Sequence, residues 1–444
     1  MYPGSDQNEA MSPVTIGIIG IVVLIAIFLL RMPVGFAMAA VGLVGFSYLV
    51  SPEAGLSIVA RDVFHTFSSY SLTVIPMFVL MGSIAFASGM SRRLYDAGYS
   101  LVGRLRGGLA MATVVGCAGF AAISGSTNAT AAAMGRVSLP EMKRYNYADS
   151  LATGSVAAAG SLGILIPPST IFIIYGIMTE QSIGKLFVAG VLPGLVLASL
   201  FIIVVALVCW RDPSLAPTGA ATNWKEKIAG LTGISEMLVL FGLVIGGLFL
   251  GWFSPTQAGG AGAAGALVIG LVRRQLTWQG FLGAVKDALR ITCMVMIIVA
   301  GAVVFGHFIA VAKIPLMLAA WVVGLPLPPV AIMGVIVLIY LLGGCFMDAL
   351  ALITLTIPIF YPAVLALGFD PIWFGVIIVL VTEMGVITPP VGVNVYVIKG
   401  IAEGVPLETI FKGILPFLGA LAVAIGILMA FPQIATYLPS LAVY

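Results

Sequence analysis

Apolar runs of membrane-spanning length, separated by short polar breaks, follow one another along almost the whole chain. Residues 15–30, 33–50 and 71–87 are the first three, each near the roughly 20 residues a spanning helix needs. The mixed stretch 51–70, with Arg61, Asp62 and His65, is expected to lie along the membrane interface. Residues 107–140 are apolar but interrupted at Ser124-Gly125-Ser126-Thr127-Asn128. Basic residues flank this run on both sides, Arg104 and Arg106 before it and Lys143 and Arg144 after it. A run with the same flank at both ends enters and leaves on one side, which predicts a re-entrant helical hairpin with a polar tip. Residues 148–178 and 186–210 complete the series, closed by Arg211. After a polar stretch the plan repeats as 237–253, 258–272, 291–312, an interrupted run 329–367, then 372–398 and 410–431. The second interruption is Gly343-Gly344-Cys345-Phe346-Met347-Asp348.

Two of these runs carry the same mark. Gly163-Ile164-Leu165-Ile166-Pro167-Pro168 and Gly385-Val386-Ile387-Thr388-Pro389-Pro390 place a proline pair inside an apolar segment. Proline removes a backbone donor and clashes with the preceding turn, and the residue before it is pushed out of the α region. Each helix is therefore expected to break at membrane depth and leave carbonyls without helical partners. Hydrocarbon cannot satisfy those carbonyls; a cation or an enclosed cavity can. A matched pair of interrupted segments is the sequence mark of a secondary transporter's binding site.

The fold class expected is an all-α polytopic membrane protein, and composition agrees: 61% of 444 residues are hydrophobic, 8% are charged, and mean hydropathy is +1.17. Alternating the spans and placing Arg92 and Arg93 in the cytoplasm puts every Lys and Arg inside except Arg61, Lys185 and Lys313. The two halves then have opposite orientation. The expected organisation is a polar extension at 1–13, a first repeat at 14–211, a cytoplasmic linker at 212–230 and an inverted second repeat at 231–444, each repeat with one hairpin and one broken helix. Cys117, Cys209, Cys293 and Cys345 have no metal or disulfide spacing and read as small buried residues.

The first tip offers Ser124, Ser126 and Asn128, oxygen donors without side-chain charge, which suit a hard monovalent cation such as sodium. Asp348 at the second tip reads equally as a helix cap and as an ion ligand. Glu383, inside an apolar run, can bond backbone, pair structurally or meet a cation. His307 reads as a hydrogen-bonded interior or interface residue. There is no nucleophile elbow, His-Glu metal motif or phosphate-cradling loop, so the sequence points to neither an enzyme nor an ATP-driven pump. No nucleic-acid partner and no organic cofactor are expected. A channel is a poor match, because inverted hairpins with occluded sites do not build a continuous pore.

Several motifs together resemble the large membrane subunit of tripartite ATP-independent periplasmic (TRAP) transporters. They are Ser124-Gly125-Ser126-Thr127-Asn128-Ala129-Thr130, Leu139-Pro140-Glu141-Met142, Ile166-Pro167-Pro168-Ser169, Ser182-Ile183-Gly184-Lys185-Leu186-Phe187 and Thr388-Pro389-Pro390-Val391-Gly392-Val393-Asn394. The resemblance implies a sodium-driven importer of small organic acids in a bacterial or archaeal inner membrane, working by an elevator motion. It also implies a periplasmic solute-binding protein and a small membrane subunit of about four helices on another polypeptide. Carried over residue by residue, it puts one sodium at Ser124, Ser126, Gly163, Ile166 and Pro168. The repeat offers a second at Gly344, Gly385, Thr388 and Pro390. Substrate would lie near Thr127, Asn128 and Asn394. The alternative is a stand-alone sodium/carboxylate symporter that takes its substrate from solution.

Overall fold

The computed structural model describes residues 11–30, 32–217 and 234–442; the opening of the N-terminal extension, Arg31 and most of the linker lie outside them. No strand occurs among the described residues. The first half runs α1 (Pro13–Leu29), α2 (Val34–Leu49), α3 (Pro52–Ser68), α4 (Val74–Ala87), α5 (Met90–Val102), α6 (Gly108–Ser124), α7 (Thr127–Arg144), α8 (Asp149–Gly160), α9 (Leu162–Leu165), α10 (Thr170–Thr179) and α11 (Ile183–Arg211). The second half runs α12 (Ile234–Phe249), α13 (Pro255–Val272), α14 (Trp278–Val311), α15 (Ile314–Val323), α16 (Pro329–Gly344), α17 (Ala349–Ala366), α18 (Pro371–Ile387), α19 (Val393–Ile401), α20 (Leu407–Ala430) and α21 (Gln433–Leu441). Among the described residues, seven helical segments are long and apolar enough to cross a membrane.

Both interrupted runs fold as helix–turn–helix pairs, α6/α7 and α16/α17, and both Pro-Pro runs are broken helices. Each proline pair contains a cis peptide bond. The stretch 51–70 is the amphipathic helix α3, capped by the Ser51 side chain on the Ala54 amide (3.2 Å). Its counterpart in the second half is not a separate helix. There, α14 runs unbroken for 34 residues, about 50 Å at the α-helical rise and well beyond a hydrocarbon core of ~30 Å. It starts 13 residues before the apolar run does, because Lys286, Asp287 and Arg290 lower the hydropathy without breaking the helix. Three elements carry no spanning signal and emerge only in the structure: α5, α15 and α21.

The chain divides into two compact units. The first is Met1–Ser69, Met294–Ile332 and Ile353–Phe369. In it Asp62 is buried, with Oδ2 2.9 Å from His307 Nε2 and Oδ1 accepting from Arg61 Nε at 3.2 Å. His307 therefore lies within ion-pair distance of a buried carboxylate. The second unit is Tyr70–Cys293, Met333–Leu352 and Asp370–Tyr444, and it holds both hairpin tips and both broken helices. Aromatic pairs are set into its mainly aliphatic core: Phe78 meets Phe187 edge-on with centroids 5.5 Å apart, and Phe201 meets Phe417 at 5.4 Å. Two buried polar handles tie helices together, Tyr175 Oη donating to Pro371 O (2.5 Å) and Trp373 Nε1 to Leu428 O (2.8 Å).

At one end of this unit Glu236 of α12 is buried between two arginines. Arg93 donates to its Oε2 from Nε (3.1 Å) and Nη2 (2.6 Å), and Arg273 Nε lies 2.7 Å from its Oε1. Arg93 Nη1 also donates to Ser88 O (3.0 Å) and to Gln275 Oε1. The clamp joins the start of α5 to α12 and to the end of α13. After α11, Asp212 caps a short turn; hydrogen bonds from the hydroxyl and amide of Ser214 hold its carboxyl below the usual carboxylate range. The cysteines are all free, but only Cys117, Cys209 and Cys345 are buried. Cys293 is exposed on α14, because apolar character alone does not distinguish a core face from an outer one in a membrane protein.

Candidate functional site

The first broken helix is the most shielded of the seven candidate spans. In the best 18-residue window of Asp149–Thr179, 94% of residues are buried, against 33% for α11. A break here does not expose its carbonyls to lipid. The α8–α9 stretch ends at Ile166, whose ψ of 122° turns the chain into an extended conformation before the proline pair. Ser169 then caps α10 by accepting from the Phe172 amide at 3.3 Å.

The tip of α6/α7 is stitched onto this turn. Gly125 takes a left-handed conformation (φ 65°), and a methyl group there would come within 2.7 Å of Pro168 O. Only glycine fits both the dihedral and the approach. Its carbonyl accepts from the Thr170 amide (3.4 Å) and hydroxyl (3.0 Å). One turn away, Gly163 packs against the Ser126 carbonyl, with Thr130 Oγ1 close by. Ser124 is the last residue of α6 and is buried; Ser126 caps α7 through the Ala129 amide at 3.4 Å. The structure therefore brings Ser124, Ser126, Gly163, Ile166 and Pro168 into one neighbourhood, with Thr127 and Asn128 beginning α7 beside it.

Two buried oxygens here have no hydrogen-bond partner, Asn128 Oδ1 and Thr130 Oγ1. Orphaned buried acceptors are costly unless something absent from the protein itself satisfies them. Every donor in the set is a neutral oxygen, which fits a dehydrated alkali cation and not a transition metal. Thr130 and Thr170 are contributions the sequence did not single out; their only traces in it are a third polar residue in the first turn of α7 and a threonine directly after Pro-Pro-Ser.

The second tip is built differently. Gly344 and Gly385 pack backbone to backbone: a methyl on Gly385 would fall 2.6 Å from Gly344 Cα. Cys345 O accepts from the Val391 amide at 3.3 Å. Thr388 Oγ1 donates to Met384 O at 2.6 Å, which leaves its lone pairs available. Pro389 and Pro390 are exposed, whereas Pro167 and Pro168 are buried. Asp348 is exposed and accepts from the Leu350 amide at 2.9 Å, so the geometry gives it the capping role. Asn394 is fully buried, but Nδ2 donates to Ala157 O (3.4 Å) on α8 and Oδ1 has no partner. Ala157 shares a face of α8 with Gly160, which packs on Ala131 of α7, so Asn394 is drawn towards the first tip's side of the unit. Glu383, on α18, is completely buried.

Two hairpins whose tips meet Pro-Pro breaks inside one compact unit, in a chain of many spanning helices, define a polytopic transport permease. Comparison with known proteins places it more closely. Residues 21–434 match the family described as "Tripartite ATP-independent periplasmic transporter, DctM component". The C4-dicarboxylate TRAP transporter large permease protein DctM of Pseudomonas aeruginosa is 37% identical over 393 residues, covering 88% of this chain and 91% of that protein. The isethionate TRAP transporter permease protein DctMQ of Oleidesulfovibrio alaskensis is 34% identical over 427 residues, 95% of this chain but 66% of that longer protein. The YdaH transporter of Alcanivorax borkumensis shares the fold, with a TM-score of 0.60 over 88% of this chain and 90% of that one at 15% identity. The chain belongs to the DctM family: it is the large permease of a TRAP transporter and a multi-pass inner-membrane protein.

Proposed function

We propose that this permease imports small organic acids by coupling them to sodium, taking its cargo from a periplasmic solute-binding protein. The observation that carries the reading is the first tip: a charge-free cluster of serine, threonine, asparagine and backbone oxygens, two of them orphaned, closed over a helix break in a shielded core. Sodium bound there through Ser124, Ser126 and the carbonyls of Gly163, Ile166 and Pro168 would be the co-transported ion. A second would use the carbonyls of Gly344, Gly385 and Pro390 with Thr388. The acid would bind beside Thr127, Asn128 and Asn394, held by amides and helix N-termini instead of an arginine. Relatives named for C4-dicarboxylate and for isethionate support an anionic organic cargo. Membership of the tripartite transporter family supports a small membrane subunit working beside this permease. The joint placement of tips and breaks in one compact unit supports an elevator motion of that part of the chain. The binding-protein requirement separates this importer from a stand-alone symporter.

The test is uptake into liposomes holding this permease with its small subunit, under an inward sodium gradient. Uptake is expected only with the cognate binding protein outside and sodium present. Full-rate uptake without the binding protein would leave the stand-alone symporter, and equal uptake in potassium would remove sodium coupling.

A further inference from the structure

Two features of the second unit are incomplete, and each supplies what the other lacks. The first tip assembles oxygen donors that carry no charge, so a cation held there would be buried without a counter-charge. Glu383 is an acidic side chain with no cation beside it among the described residues. Its side chain is fully buried, and both carboxylate oxygens are without a hydrogen-bond partner. The ion pairs among the described residues engage Asp62 and Glu236, not Glu383. Such a group is expensive in a protein interior and more so in a membrane.

The position of Glu383 joins the two. The helix that carries it, α18, packs on α9 (Leu162–Leu165), the last turn before the first Pro-Pro break. Leu165 lies between Gly163, which packs on the Ser126 carbonyl of the first tip, and Ile166. We propose that Glu383, carried on the broken helix of the second half, is the positioning residue that supplies the buried negative charge balancing a cation held by the first tip. It acts across the two halves of the sequence, 218 positions from Leu165. It also lies two residues before Gly385, where α18 packs on Gly344. Filling the first site would thereby be felt on the helix that carries the second. The inference rests on the sodium reading above and extends it by one residue and one sign of charge.

The experiment is thermal unfolding and calorimetric sodium titration of the purified permease with its small subunit, in sodium, potassium or choline chloride, with no transport involved. Wild type is expected to be stabilised by sodium alone. Glu383→Gln, which keeps shape and hydrogen-bonding capacity but not charge, is expected to be at least as stable as wild type without sodium. Its sodium affinity should fall by about tenfold or more. Glu383→Asp keeps the charge and should keep the sodium-induced shift. Ser124→Ala should lose sodium affinity without the gain in sodium-free stability. Wild-type sodium affinity in Glu383→Gln overturns the proposal while leaving the sodium site intact if Ser124→Ala still weakens it. Should Glu383→Gln not fold, loss of the sodium shift in Glu383→Asp overturns the proposal by itself. If wild type itself ignores sodium, both readings fall together.

Discussion

At the scale of single residues, the proposed sodium site at the first tip includes side chains that would only ligate and others that also hold the chain. Ser124 closes α6 and has no capping duty, whereas Ser126 caps α7. Ser124→Ala is therefore expected to raise the sodium concentration needed for half-maximal uptake with little change in melting temperature. Ser126→Ala should do the same and also destabilise the protein by about 1 kcal/mol, the usual worth of a cap. Paired sodium titrations and thermal unfolding of both variants check this. Asp348 makes the reverse case. Its bond to the Leu350 amide predicts a loss of about 1 kcal/mol in Asp348→Ala with sodium affinity unchanged, which a sodium titration of that variant tests.

At the scale of elements, the hairpins and broken helices were legible because glycine, serine and proline punctuate them. Gly125-Ser126 and the two Pro-Pro pairs break apolar runs that otherwise have no reason to stop, and the turns fall there. The rest was hidden for identifiable reasons. The 13-residue α5 is amphipathic and too short and polar to register as a span. The start of α14 was masked by Lys286, Asp287 and Arg290, which lower hydropathy without breaking the helix, Lys286 and Arg290 being good helix formers. Thr130 and Thr170 join the site through contacts that sequence spacing does not encode, and Asn394 finds α8 across 237 positions. Two element contacts give measurable consequences. Gly385→Ala forces α18 away from Gly344 and should cost about 1–3 kcal/mol by overpacking, read as a lower melting temperature. Glu236→Gln strips the charge from between Arg93 and Arg273 and should cost about 3 kcal/mol. Arg273→Ala, whose side chain is half exposed, should cost under about 1 kcal/mol.

At the scale of the whole molecule, the charge distribution predicts which ends of the helices face the cytoplasm. Single cysteines placed at Lys286 and Arg61 should label from opposite sides of the membrane with an impermeant maleimide. Labelling of both from one side would reverse the orientation of one half. Native Cys293 is the exposed cysteine that such a background must remove first.

One contrast has a kinetic side. The Pro167–Pro168 turn is sealed, while the Pro389–Pro390 turn lies open in the same conformation. On the proposed two-sodium reading, an ion leaving the open turn would need no rearrangement of the chain, and one leaving the sealed turn would wait for the tip at Gly125 to lift. Rapid dilution of sodium-loaded protein should therefore release its ions in two phases, and Thr170→Val, which removes one of the stitches on Gly125, should quicken the slower phase alone.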